Sequence, residues 1–175
     1  MKIFSQANAA ILFVFCTQVY AQGTFDHASY PVRDADQLIA NAPKVESVLT
    51  TPEGRGMFPG GAKSQTAMRI IRPEKIRLWV VLAGKPTPIK IDGPIVPHEN
   101  ALRIIGWNPP PQARHVVSVK TQKGNSLRAH VQDVLVGPLV KEVQAGGKVT
   151  LYALLYYYDK DGPGLIVNEF EEGWH

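Results

Sequence analysis

Two textures of hydrophobic patterning divide the chain. After a short apolar block at the N-terminus, residues 22–67 are polar and interrupted; from Met68 onward, β-branched and aromatic runs alternate with proline and glycine. Spaced runs of this kind mark an all-β domain. They predict strands at 68–71, 76–83, 102–107, 115–121, 125–136, 148–159 and 165–172. Residues 85–97 hold four prolines and are excluded from the middle of a sheet, because proline lacks the N–H that a ladder needs. Two helices are expected. Asp34 can cap one over 34–41, stopped by Pro43, with Val45, Val48 and Leu49 placed to add a turn. The other is 138–145, with Pro138 near its start and Gly146 after its end.

One hairpin has a readable register. Gln122-Lys123-Gly124 separates two alternating runs, and a three-residue loop wants a left-handed residue last, where Gly124 stands. That loop pairs Thr121 with Asn125. It sets Val119 against Leu127 and Val117 against Ala129 on one face, with Lys120 against Ser126 and Ser118 against Arg128 on the other. A loop one residue shorter or longer would set valines against polar residues. A second hairpin joins 148–159 to 165–172 through a five-residue loop, 160–164.

The resulting order resembles the plan of the OB-fold, a small five-stranded Greek-key barrel with a helix between its third and fourth strands. The resemblance lies in element order alone. An SH3-like barrel or a β-sandwich accommodates the same runs. The expected organisation is a signal segment at 1–21, an N-terminal arm with a short helix and a glycine-rich loop at 22–66, and a mostly β, barrel-like domain at 67–175.

The N-terminal block changes the picture of where the protein works. Lys2 is the only charge before Asp26, residues 9–16 are apolar, and Val19-Tyr20-Ala21 offers a cleavage site before Gln22. Charge, apolar core and cleavage site in that order read as a secretory signal peptide. The apolar core is too short to span a bilayer, which takes roughly 20 residues. Cys16, the sole cysteine, follows Phe13-Val14-Phe15 rather than the small residues of a lipoprotein signal. Cleavage would leave 154 residues without cysteine, so the exported domain would rely on an apolar core in place of disulfides. Removing Lys2 leaves 18 basic against 15 acidic residues, a formal +3, with no run of three basic residues. That distribution argues against a nucleic-acid arm or a polybasic lipid patch.

Catalytic patterns are incomplete. Gly56 to Ser64 approaches a phosphate loop, but Ala62 separates Gly61 from Lys63, and the pattern needs glycine and lysine adjacent. No G-x-S-x-G occurs, and the exported chain would have no thiol nucleophile. His27, His98, His115, His130 and His175 lack zinc-hydrolase spacing; in the hairpin register His115 and His130 face opposite ways. Asp159 and Asp161 lack the ligand set of a calcium loop, and Glu169, Glu171 and Glu172 read as a solvated edge. No cofactor or metal is expected.

The feature most suggestive of binding is a tyrosine stripe. Tyr152, Leu154, Tyr156 and Tyr158 alternate along one face of 148–159; Val149, Leu151, Ala153 and Leu155 occupy the other, with Tyr157 at its end. The stripe is either covered by the arm or the proline-rich link, or open as a platform for sugars, bases or a peptide. Open, its ligand residues would be Tyr152, Tyr156 and Tyr158, with Arg128 and Lys120 supplying charge. The expected function is therefore a non-enzymatic binding module of the bacterial envelope, periplasmic or secreted. Its partner would be an envelope protein or a glycan rather than nucleic acid. A small hydrolase using His98 or His115 with an acid, and a structural subunit that lends its arm to a neighbour's sheet, are the alternatives.

Overall fold

The computed structural model describes residues 25–44, 68–90 and 97–175. The signal segment, the extra turn at 45–49 and the glycine-rich stretch at 50–65 lie outside them. Six strands, β1 (Met68–Leu82), β2 (Thr87–Pro88), β3 (His115–Lys120), β4 (Ser126–Val131), β5 (Lys148–Asp159) and β6 (Gly162–Glu172), form one sheet in the order β1-β5-β6-β4-β3-β2. An additional pairing, Val81 with Lys120 and Leu82 with Val119, joins β1 to β3 and closes the sheet partly into a ring. All pairings are antiparallel except β4 with β6. Among the described residues, three α-helices accompany the sheet, α1 (Ala35–Ala40), α2 (Pro97–Ile104) and α3 (Asp133–Glu142), with one 3-10 turn at His27–Ser29. Among the described residues, no helix is long and apolar enough to cross a membrane.

The β3–β4 hairpin has the expected register, residue for residue. Gly124 sits at φ +85°, and the Thr121 amide donates to the Asn125 carbonyl at 2.9 Å. Asp34 caps α1 by accepting from the amides of Asp36 and Gln37.

Four expectations are corrected. Residues 68–71 and 76–83 belong to one strand, β1, whose register breaks between Ile70 and Glu74 where Pro73 cannot donate to the ladder. Residues 102–107 are not a strand. They finish α2, which starts at Pro97 and ends in a Schellman turn: Gly106 adopts φ +100°, its amide donates to Arg103, and the Trp107 amide donates to Leu102. Strand β4 ends at Val131, and α3 begins at Asp133, five residues before Pro138. The last hairpin turns through Lys160-Asp161 alone, because Asp159 pairs with Gly162 at φ +111°.

The ring interior is the main core. Ile76, Leu78, Val80 and Leu82 of β1 meet Val149, Leu151, Ala153 and Leu155 of β5, with Leu139 and Val143 of α3 and Ala35 of α1 in the same cluster. Strand β5 is buried on both faces, since every residue from Val149 to Tyr157 is buried. Its outer face is covered by two separate pieces of chain. The arm lays Phe25, His27 and Tyr30 around the Tyr152 ring at centroid distances of 5.6, 4.7 and 5.7 Å. Ala101 and Leu102 of α2, with Ala113, cluster with Leu154, Tyr156, Tyr157 and Ile166 as a second core.

Backbone and side-chain hydrogen bonds anchor the arm. Arg77 of β1 donates its amide to Pro31 and accepts from the Arg33 amide, which makes a short parallel bridge at Val32. Asp36 reaches the tip of the β3–β4 hairpin, accepting from the Thr121 hydroxyl at 2.6 Å, the Asn125 amide group at 2.7 Å and the Lys123 backbone at 3.3 Å. These bonds, that of Thr121 foremost, hold the Asp36 carboxyl below its ordinary range. Asp36→Ala is expected to lower the urea midpoint, and adding Asn125→Ala should cost less than the sum of the two single changes, because both remove one shared bond. Additive losses would show that Asp36 does not hold the hairpin tip.

Candidate functional site

The tyrosine stripe does not form one exposed face. Tyr152 and Tyr156 are 1% and 0% exposed. The Tyr152 hydroxyl donates to Glu171 at 2.6 Å beneath the arm, and Tyr156 lies under α2. The register of β5 on β6 shifts between Leu155 and Tyr157, which breaks the alternation. Tyr157 thereby joins the outer cluster with Tyr156, while Tyr158 packs part-buried against the main core. Lys120 is exposed, its ammonium donating to Ser126 at 2.7 Å. Arg128 is also exposed, but it stands at the rim of a groove.

That groove holds about 230 Å³. Strands β3 and β4 contribute Val116, Arg128 and His130. The end of β5 and the turn into β6 add Tyr157, Asp159, Asp161, Pro163 and Gly164. Met68, Ile89 and Lys90 line it from elsewhere, and His98 enters it from α2. A smaller recess of about 160 Å³ lies between the arm and Trp79. Two of its charged residues are already engaged, Arg33 with Glu74 and Asp36 with the hairpin.

The groove's chemistry centres on two imidazoles. His98 and His130 stack with centroids 4.0 Å apart and planes 14° from parallel. His98 is 3% exposed. His130 Nε2 lies 2.9 Å from the Tyr157 hydroxyl. His98 Nε2 and His130 Nδ1 are buried with no hydrogen-bond partner. Buried polar atoms are nearly always satisfied, so two orphaned nitrogens this close together set the groove apart. Burial pushes both imidazoles toward the neutral form, with a backbone hydrogen bond to Ala113 opposing the shift at His98. His130 falls to about 3, through burial first and then the neighbouring His98 and Arg128.

Two of the remaining charges pair. Arg128 lies 4.0 Å from Asp161, and Asp159 accepts the Asp161 amide at 2.8 Å. Burial raises the Asp159 carboxyl above its ordinary range and keeps the Tyr157 phenol protonated. Gly164 is a steric requirement, since a Cβ there would stand 2.2 Å from the Tyr157 ring. Elsewhere, His115 and Asp133 are 3.1 Å apart, on the other face of the hairpin from His130. Burial alone would raise the Asp133 carboxyl, but hydrogen bonds from the Arg114 amide and His115 outweigh it and lower the carboxyl.

His98, His130, Tyr157 and Asp159 are the residues that sequence reasoning missed as a group. The hairpin register separated His115 from His130, but the meeting of His98 with His130 depends on α2, which reads as a strand in the sequence. Pro97 at the first helical position and Glu99 in the first turn were the available signals. Among the described residues, no three histidine, cysteine or acidic side chains converge to hold a metal. Comparison with protein-family models, curated proteins and solved structures finds no match.

Two glycines separate groove packing from backbone propensity. Gly164→Ala should displace the Tyr157 ring from His130 and destabilise the fold by about 1–3 kcal/mol, as overpacking does. Gly137→Ala, in α3 with nothing within 4 Å of its Cβ, should stabilise by up to about 1 kcal/mol. Urea denaturation checks both; equal effects would remove the steric argument at Gly164.

Proposed function

We propose that this chain is an exported, non-enzymatic binding module that takes an uncharged, polyhydroxylated ligand, a glycan by chemical class, in the His98–His130 groove. The observation that carries this reading is the stacked imidazole pair, His98 buried and His130 half-buried, each with one buried, unpartnered ring nitrogen. Neutral imidazoles, a phenol and two carboxylates supply mixed donors and acceptors beside the apolar walls of Met68, Ile89, Val116 and Pro163. Lys90 and Arg128 are balanced by Asp159 and Asp161, so a polyanion gains no net attraction there. Export is supported by the order of features in residues 1–21.

The topology supports an OB-fold reading. Counting β1, β3, β4, β5 and β6 as strands one to five, the ring runs 1-2-3-5-4 and returns to 1, with the parallel pair between three and five. Helix α3 falls between three and four, as in that plan. The groove then lies on strands two and three, flanked by the loops after strands one and four, the face on which such folds take oligosaccharides and oligonucleotides.

Binding is favoured over catalysis on two grounds. An imidazole titrating at about 3 is a weak base near neutral pH, where a general base should titrate close to the working pH. The His115–Asp133 pair resembles part of a catalytic dyad, but Asp133 also accepts the Arg114 amide at 3.0 Å and its own amide donates to Gln112. It ties the start of α3 to the approach of β3, and among the described residues no hydroxyl is hydrogen-bonded to His115.

Chitotetraose, cellotetraose and maltotetraose, with an eight-nucleotide oligothymidylate as polyanion control, would be titrated into labelled protein and followed by amide NMR. At least one oligosaccharide is expected to shift Arg128, His130, Tyr157 and Asp159 together, and Arg128→Ala should weaken that binding about tenfold, the worth of roughly 1.4 kcal/mol. Binding of the oligonucleotide alone, or shifts clustered away from the groove, would contradict the proposal.

A further inference from the structure

We propose that the stacked pair of His98 and His130 is an acid-released latch: with both rings neutral it holds α2 against the groove, and protonation parts the rings, frees α2 and abolishes ligand capture. The inference concerns the regulation of the groove and rests, for its ligand arm only, on the binding role proposed above.

The geometry gives a protonated ring nowhere to put its charge. Each imidazole that gains a proton needs an acceptor for the added N–H, yet His98 Nε2 and His130 Nδ1 have none. Two like charges would then face each other across 4.0 Å, nearly ring on ring, with His98 buried and His130 half-buried. Relief is available from one side. His130 sits within β4, between β3 and β6, so moving it breaks the sheet. His98 sits on an eight-residue helix whose buried anchors are Ala101 and Leu102. The helix side is the weaker one.

Charged and titratable groups face the stack from several elements. On α2, Glu99 favours the charged form of His98. On β4, Arg128 disfavours that of His130. Strand β5 presents Tyr156 and Tyr157, whose phenols burial keeps protonated, and Asp159. Asp161 comes from the turn and Lys90 from the stretch after β2. Besides Glu99, the nearby anions are the two aspartates, but Asp161 faces Arg128 and Lys160, and Asp159 already accepts the Asp161 amide. Neither is hydrogen-bonded to an imidazole.

The sign follows from burial. Both rings titrate below the ordinary histidine value of 6.5 while stacked, so the closed state binds fewer protons than the open one. Closure is at full strength above about pH 6.5 and weakens as pH falls. With two protons taken up on opening, the opening constant rises by up to about 100-fold per pH unit below that point, and by about tenfold when one ring is removed.

Hydrogen exchange of the free protein from pH 7 to 4.5, corrected for intrinsic rates, reads the latch without any ligand. The amides of 101–107 are expected to lose protection steeply while β5 and β6 keep theirs. In His130→Phe, which preserves a ring to stack on, the loss should be shallower; His98→Phe supplies the same reading from the helix side should the first variant fold poorly. Flat protection of 101–107, or unchanged steepness in the folded variant, overturns the latch. Titration with the best of the three oligosaccharides at pH 7 and pH 5 then tests capture. Weaker binding at pH 5 together with α2 release supports the proposal, and equal binding at the two pH values contradicts it. If α2 opens on schedule but no oligosaccharide binds at either pH, the latch stands and the glycan reading falls.

Discussion

The structure depends on the burial of β5 from both sides. Closure of β1 onto β3 turns the sheet into an enclosure, so one face of β5 meets the ring core. The other face carries Tyr152, Leu154 and Tyr156, which cannot be left in water at the centre of a stable sheet. Two independent segments cover it. The arm covers Tyr152, fastened by the bridge at Val32 and by Asp36 on the hairpin tip. Helix α2 covers Leu154 and Tyr156 with two small anchors, Ala101 and Leu102. Nine consecutive buried residues in one strand are the mark of this arrangement.

The groove opens where that cover ends. Past the irregularity at Tyr156, the chain presents Tyr157 outward, and Gly164 opposite leaves room for the ring. The bulge therefore does two things at once: it sends Tyr158 back to the main core and aims Tyr157 at His130. The same helix that covers Tyr156 brings His98 onto His130. Cover and site share one element, so a change in the charge of the groove acts directly on the packing of the outer core.

What was legible in the sequence follows how local each determinant is. The β3–β4 register was readable because its turn glycine and its cross-strand apolar pairs lie within a few residues of one another. The cap at Asp34 was readable for the same reason. Residues 102–107 misled because Ile104, Ile105 and Trp107 are β-prone, while the helix they end is set by Pro97 upstream and by Gly106 at positive φ. Residues 133–136 misled likewise, since Val134, Leu135 and Val136 continue the texture of β4. The tyrosine stripe was read by strict alternation, which one bulge suffices to break. The His98–His130 stack left no linear trace, because it joins two elements through the folded ring alone.

The outer face of β5 is a second core rather than a binding surface. Tyrosine nitration of the folded protein at mildly alkaline pH, located by peptide mass spectrometry, tests this directly. Tyr152, Tyr156 and Tyr157 are expected to resist modification and the part-exposed Tyr158 to react. Reaction of Tyr152 and Tyr156 at the rate of the unfolded chain would contradict it: the stripe would then be an open platform, and the groove at His98 and His130 would lose its claim as the binding site.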